Sequence, residues 1–330
     1  MVLMPTAAEN DLLPVANRTG TLAQEWAGND QQWWDWYVTL AANKKTPPGL
    51  ESGPGPASDT AAGDDEVAAA LAEPYPLTSA QRERFRYESF IKLPGVIPPR
   101  VLRRLADRLD ELLRAQHGDD NPGRFTSLEQ MWQRDDLMGL VALSPRLGNL
   151  AAELTGADVR IYHDNALSKE PGCGRTPWHH DAEHFPLATL QSLTAWIPVS
   201  AISRAMGPLS FARHSDLRAL LGDLQFDRIG TSYDTAVSAR IMSSGTAIED
   251  GPFAAGDVSF HGALCFHTAG ANHTSQPRRA LATTYYADGS RVVDQPTLIS
   301  GAWQDFLPGV RPGELAVTHL NPVVGHAEQA

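Results

Sequence analysis

The chain has 330 residues, 42% of them hydrophobic, and a formal net charge of -12. Its length and apolar content suit one large β-rich domain or two ordinary ones with a real core, and its acidic balance excludes a nucleic-acid backbone as partner, which requires clustered and uncancelled Lys and Arg. No apolar run approaches the roughly 20 residues that cross a bilayer, so no membrane span is expected.

In chain order, Met1 to Gly20 carries Glu9, Asn10 and Asp11 where a signal peptide needs an unbroken apolar stretch, which makes the cytoplasm the expected location. The first 45 residues then turn aromatic, with Trp26, Trp33, Trp34, Trp36, Tyr37 and Leu40. Trp33, Trp36, Tyr37 and Leu40 recur at helical spacing, so residues 1–45 are expected as a helical appendage that docks one apolar face on the main body. Trp34 falls on another side of that helix and is the residue to follow for a substrate or partner role. From Thr46 the composition shifts to Pro, Gly, Ser, Ala and acids, and residues 46–76 are expected as a flexible linker, because such a stretch buries too little apolar surface to offset its ordering entropy.

The main domain is expected over residues 77–330. Thr78 followed by Gln81 fits a capping box for a helix through Arg86. A short strand Ser89-Phe90-Ile91-Lys92-Leu93 follows, then a turn, then a helix from Pro99 to Gln116 with Val101, Leu102, Leu105, Leu109, Leu112 and Leu113 on one stripe. The basic residues of that helix, among them Arg100, Arg104, Arg108 and Arg114, alternate with Asp107, Asp110 and Glu111 and read as a solvated, ion-paired face. Leu137 to Thr155 is helical, restarted by Pro145 and ended by Gly156. Beyond Gly156 the short segments Val159–Leu167, Leu193–Val199, Pro208–Ala212, Val258–Phe266 and Ala280–Ala287 read as strands. Together these predict a mainly β fold with flanking helices, a double-sheet jelly roll. Gly222 to Gly251 is long and mixed, and reads equally as a lid or as a surface loop, with Tyr233 and Arg240 the side chains to follow.

The chemistry-bearing residues centre on Pro177-Trp178-His179-His180-Asp181. On an extended backbone His179 and Asp181 point to the same side and could both reach one ion. His267 supplies the best third ligand. Two imidazoles and a carboxylate on one face of a metal, with positions left open, suit non-haem Fe(II) and oxygen chemistry. A histidine beside an acid is equally at home as a surface or supporting pair, so the fragment alone does not decide. Arg278, eleven residues after His267 and at the start of a strand, could grip one end of a dicarboxylate whose other end chelates the metal. His180 is expected to face away from His179, and His261 reads as a core or supporting histidine rather than a ligand. No nucleophile elbow, paired-cysteine motif, P-loop or dinucleotide fingerprint is present.

Leu77 to about Asp288 resembles the phytanoyl-CoA dioxygenase family of Fe(II)- and 2-oxoglutarate-dependent oxygenases. The resemblance rests on Leu77-Thr78-x-x-Gln81-x-x-x-Phe85, on Lys169-Glu170-Pro171-Gly172 running into Trp178-His179-His180-Asp181, and on Leu193-Thr194-Ala195-Trp196-Ile197-Pro198. It continues through Gly207-Pro208-Leu209, Gly256-Asp257-Val258, His267, Asn272 and Pro277-Arg278-Arg279-Ala280. The resemblance implies a double-stranded β-helix (cupin-like) core, with iron held by His179, Asp181 and His267. It implies 2-oxoglutarate anchored by Arg278, with Arg279 in its place if the register shifts by one, and O2 as cosubstrate. Thr194 and Trp196 fall on a strand that in similar proteins lines the cosubstrate pocket, and Lys169 is a further pocket candidate or an exposed lysine before a turn. Related halogenases carry a small residue where this chain has Asp181, so the resemblance implies hydroxylation or another oxidative outcome over halogenation. With the acidic charge and a closed barrel, the reading is hydroxylation of an unactivated C–H of a small metabolite in specialised biosynthesis.

The alternatives are desaturation, epoxidation or rearrangement with the same cofactors, a Zn or Mn jelly-roll enzyme, and a binding module that uses Trp33 to Trp36. The expected partner is a small molecule, with the protein a monomer or homodimer.

Overall fold

The structure is a computed structural model, and it describes residues 63–119, 121–213, 220, 224, 232–296 and 303–327. The expected tryptophan helix of residues 1–45 and the first part of the expected linker lie outside the described residues.

The helices come first. Asp64–Ala72 (α1) falls inside the segment expected as linker and corrects that boundary. The acids Asp64, Asp65 and Glu66 occupy its first turn, where the helix dipole favours them, and Asp64 and Glu66 pair with Arg104 and Arg100 of the helix Pro99–His117. Its Val67 and Leu71 are fully buried. Ser79–Glu88 (α2) starts from the expected capping box, with Thr78 accepting from the Gln81 N–H and Gln81 accepting from the Thr78 N–H. The strand Phe90–Leu93 (β1) and the helix Pro99–His117 (α3) follow, and all six residues of the expected apolar stripe of α3 are buried. Asp136–Ala142 (α4) and Pro145–Thr155 (α5) divide at Ser144-Pro145 as expected, and Gly156 closes α5 in the left-handed conformation.

The strands form two antiparallel sheets. The larger has the order β1-β8-β5-β10-β3-β11, with β2 also paired to β3. Its members after β1 are Phe125–Glu129 (β2), Val159–Lys169 (β3), Ser192–Pro198 (β5), Val258–Gly262 (β8), Arg278–Ala287 (β10) and Val323–Gly325 (β11). The smaller has the order β4-β9-β6-β7, from Thr176–His179 (β4), Leu209–Ala212 (β6), Ile248–Glu249 (β7) and His267–Ala269 (β9). The helix Ser232–Ser244 (α6) precedes β7 inside the segment read as lid or loop. This is the expected curled, mainly β architecture with flanking helices.

One strand departs from expectation. The expected strand Val258 to Phe266 ends at Gly262 as β8, and a turn in which the Cys265 N–H donates to the Gly262 carbonyl at 2.9 Å leads into β9. The turn is itself buried, with Ala263, Cys265 and Phe266 at 3%, 2% and 0% exposure, so its composition imitates a strand. Its effect is to carry the chain from the large sheet, where His261 stays, to the small one, where His267 sits.

Side chains of the large sheet alternate between the helices and the small sheet, except at a bulge at Tyr162 of β3, which leaves Ile161 on the helix side and His163 on the inner one. Leu193, Ala195, Ile197, Phe260, Leu281 and Tyr285 join the leucines of α3 and α5 in one core. Phe90, Leu167, Trp196, Ala280 and Ala282 face the small sheet's Leu209, Phe211 and Ala269 in a second. Phe90 and Phe211 stack with ring centroids 4.6 Å apart. The cavity described next opens on that inner face.

Candidate metal centre

β4 and β9 pair so that His179 lies directly opposite His267, with ring centroids 4.1 Å apart. His180 follows with φ −132° and ψ 153°, an extended conformation that returns Asp181 to the side of His179. One donor atom from each of His179, Asp181 and His267 can be chosen so that all lie within 4.8 Å of one another, a spacing at which one ion can take all three. His179 Nε2 and His267 Nε2 stand 4.0 and 3.8 Å from Asp181 Oδ1. His180 turns the other way and meets the edge of Phe266 at 5.2 Å, as expected.

The hydrogen bonds around these groups set them up as ligands. His179 Nδ1 donates to the Pro177 carbonyl at 2.8 Å and His267 Nδ1 to the Cys265 carbonyl at 3.0 Å, each two residues upstream. Those bonds put the proton on Nδ1 and the ring lone pair on Nε2, facing Asp181. Burial pulls both imidazoles below their ordinary pKa, so both are neutral at neutral pH. Burial alone would raise the Asp181 carboxyl, but the surrounding histidines outweigh it and hold it well below the usual carboxylate range. Two neutral imidazoles and one ionised carboxylate are the protonation states a divalent cation requires.

Thr194 and Trp196 line the cavity, as expected of their strand. The Thr194 hydroxyl also donates to Asp181 Oδ2 at 3.0 Å and lies 3.0 Å from Thr284 Oγ1. His261 Nε2 approaches the same oxygen at 3.5 Å, the supporting position read from the sequence. Asp181 therefore turns Oδ1 to His179 and His267 and Oδ2 to residues of the large sheet.

The alternation of β10 separates the two candidate arginines. Arg278 is 3% exposed and lines the cavity, where its Nη1 donates to the Gly207 carbonyl at 2.7 Å and its guanidinium lies 5.3 Å from the Trp196 ring centroid. Its Nε has no hydrogen-bond partner among the described residues. Burial draws its pKa down to about 10, so it stays charged at neutral pH. Arg279 points to the helix side and pairs with Asp110 of α3. Lys169 is neither exposed nor part of the cavity wall: it is fully buried, and its ammonium donates to the Gly270 carbonyl at 2.7 Å. That carbonyl lies against Gly207, which has φ +69° and where a Cβ would come within 2.1 Å of it. Lys169 thus braces the turn that supports Arg278.

The remaining wall was not singled out in the sequence. His163, Asn165 and Leu167 project from one face of β3, joined by Phe125, His184 and Phe185, around a cavity of about 110 Å³. Burial lowers His163 to about 4 and keeps it neutral. The signal available was the polar run His163-Asp164-Asn165 between Ile161-Tyr162 and Ala166-Leu167, which puts His163 and Asn165 on one face of the strand. Tyr233 is buried in the core beneath α6, and Arg240 donates to the Leu220 carbonyl at 2.9 Å; neither lines this cavity.

Three comparisons bear on this arrangement. No curated protein matches the sequence. In fold, the chain is similar to the non-heme alpha ketoglutarate dependent carbocyclase SnoK from nogalamycin biosynthesis, at 23% identity and a TM-score of 0.64, covering 76% of this chain and 99% of that one. It is also similar to the epimerase SnoN in complex with Fe3+, alpha ketoglutarate and nogalamycin RO, at 25% identity and a TM-score of 0.62, over 78% of this chain and 99% of that one. EctD from S. alaskensis with 2-oxoglutarate and 5-hydroxyectoine is more distant, at 17% identity and a TM-score of 0.59, over 76% of this chain and 92% of that one. The family model for phytanoyl-CoA dioxygenase (PhyH) matches residues 87–280, more than half of the sequence. The strand order, the triad and that match agree, and the chain belongs to the phytanoyl-CoA dioxygenase family of Fe(II)- and 2-oxoglutarate-dependent oxygenases.

Proposed function

We propose that the protein hydroxylates an unactivated C–H bond of a small metabolite in specialised biosynthesis, with Fe(II) and 2-oxoglutarate as cofactors and O2 as cosubstrate. The observation that carries this reading is the pairing, in one cavity, of the His179, Asp181 and His267 donor set with a buried, charged Arg278. The first is a facial set of ligands that suits iron, and the second a bidentate partner for the far carboxylate of a 2-oxo acid. The two orient one cosubstrate between them.

Each residue has a definable task. His179, Asp181 and His267 would hold the iron, and Thr194 and His261 steady the Asp181 carboxylate from behind. Arg278 would bind the distal carboxylate of 2-oxoglutarate, braced by Gly207 and by the Trp196 face. Phe125, Leu167, Leu209 and Phe185 supply apolar wall that limits water near the reacting carbon. When bound, iron and 2-oxoglutarate with O2 supply the oxidising power needed to remove hydrogen from carbon, which no protein side chain supplies.

The test is anaerobic titration of the purified protein with Fe(II) and 2-oxoglutarate, read by the weak visible charge-transfer band of a chelated 2-oxo acid. The expected result is a band in the wild type that is lost in His267→Ala. No band and no 2-oxoglutarate binding by calorimetry would sink the reading. The likeness to SnoN, an epimerase, supports a second outcome with the same cofactors. Product mass separates the two, since hydroxylation adds one oxygen and epimerisation leaves the mass unchanged.

A further inference from the structure

The pairing of β4 with β9 is irregular just before the metal centre. Thr176 is opposite Ala269 and His179 opposite His267, so β4 uses one residue more than its partner over the same span. The extra residue makes a bulge at Pro177-Trp178, and Pro177 has no N–H to give. The Trp178 N–H instead donates to Asp234 Oδ1 at 2.6 Å. Asp234 comes from the first turn of α6, is 3% exposed, and also receives the Arg175 guanidinium, whose Nη1 lies 3.3 Å from Oδ1 and whose Nη2 pairs with Oδ2. One carboxylate thus fastens both Arg175, just before β4, and Trp178, within the bulge that leads to His179. Tyr233, Val237 and Ile241 of α6 pack in the same apolar cluster as Trp178.

We infer that Asp234, acting with Arg175, is a positioning residue of the metal centre: it fixes the β4 bulge and thereby the placement of His179 opposite His267. Without a carboxylate there, the Trp178 N–H is a buried donor lacking its acceptor, and β4 can relax toward regular pairing. A one-residue change of register at this point would turn His179 to the other face. Asp234 does not touch the donor atoms; it acts through the strand, beside a weaker effect of its charge on His179. By linkage, the Asp234 contact to the β4 bulge and metal binding stabilise each other.

The inference rests on the metal-centre reading, and the test separates the two. Co(II) affinity of the full-length protein is measured by calorimetry for the wild type, Asp234→Ala, Asp234→Asn, Arg175→Gln and Val237→Ala. Asp234→Ala is expected to lose affinity by roughly tenfold or more, in the range typical of groups that orient metal ligands. Asp234→Asn, which keeps an acceptor for the Trp178 N–H, recovers part of that loss. Val237→Ala removes buried volume from the same helix, and is expected to lower the melting temperature while leaving affinity within about twofold, since it keeps the Asp234 carboxylate and its bonds to Arg175 and Trp178. Hydrogen exchange adds a direct readout, with the Trp178 amide losing protection in Asp234→Ala. If Asp234→Ala does not fold, Arg175→Gln carries the test, because Arg175 is more than one-third exposed at its side chain and its loss leaves the core intact. Severalfold weaker Co(II) binding in Arg175→Gln supports the inference. Wild-type affinity in the folded variants, or an equal loss in Val237→Ala, overturns it alone. Failure of the wild type to bind Co(II) overturns the metal-centre reading and this inference with it.

Discussion

His179 and His267 face each other across the β4–β9 pair, and each anchors its Nδ1 on the carbonyl of the residue two positions before it. Local backbone therefore orients both rings before any ion arrives. His179→Ala is expected to abolish tight Fe(II) binding, whereas His180→Ala, its buried neighbour on the opposite face, is expected to lower stability and leave Fe(II) binding near wild type. Calorimetric Fe(II) titration with parallel melting curves checks both, and equal metal affinity in the two variants would refute the assignment.

The same logic applies to the two arginines of β10. Arg278→Ala is expected to weaken 2-oxoglutarate binding about a hundredfold, the scale of removing a buried charged partner. Arg279→Ala is expected to leave that binding unchanged and to lower the melting point slightly through loss of its pairing with Asp110. Titration of both variants with 2-oxoglutarate decides, and a reversed pattern would show that Arg279 is the anchor.

Thr194→Val keeps the shape of the side chain and removes the hydroxyl that donates to Asp181. Fe(II) affinity is expected to fall by about tenfold, with KM for 2-oxoglutarate less affected than metal loading. An unchanged metal affinity together with a raised KM would return Thr194 to the cosubstrate-binding role read from the sequence.

Gly207 has φ +69°, and a Cβ there would collide with the Gly270 carbonyl. Gly207→Ala is expected to cost about 3 kcal/mol or more in urea unfolding. It is also expected to weaken 2-oxoglutarate binding, because the Gly207 carbonyl holds Arg278. A stable variant with normal binding would mean that the turn can open without disturbing the arginine.

Asp164 supplies a pH dependence. It is fully buried, accepts the Trp132 N–H at 3.1 Å, and burial raises its carboxyl from 3.8 to about 7. Below the unfolded value both states are protonated and the full contribution is present. As pH rises from about 4 toward 7 the unfolded chain releases this proton and the folded one keeps it, so stability falls, by up to about 4 kcal/mol once the folded group also ionises. Asp164→Asn is expected to flatten this slope, and melting curves at pH 5 and pH 8 measure it. A wild type and variant with parallel pH profiles would exclude the assignment.

Much of this was legible in the sequence because the signals were local. The Thr78-Gln81 box, the leucine stripe of α3 and the stop at Gly156 each act within a turn or two, and each appears where it was read. The His179-x-Asp181 pair was equally local, since one extended residue brings the two together. What escaped reading depended on partners distant in the chain. The acids of α1 suggest linker until Arg100 and Arg104 are set beside them. Lys169 suggests a ligand-binding or solvent-facing residue until Gly270 is folded over it. Nothing near Asp234 in sequence points to Trp178, 56 positions earlier.

The alternation of the large sheet has a consequence for how this protein could change. His163, Asn165, Leu167, Ala282 and Thr284 shape the cavity, while the intervening Leu281 and Tyr285 belong to the helix-side core. Selection or design can therefore redraw the substrate wall one residue in two without disturbing the layer that keeps the chain folded. Substitutions on the two faces should combine additively in stability where they share no partner, unlike Tyr162 and His163, which both contact Phe185 and Phe306. The scaffold is free to diverge in what it recognises while its folding requirements stay fixed.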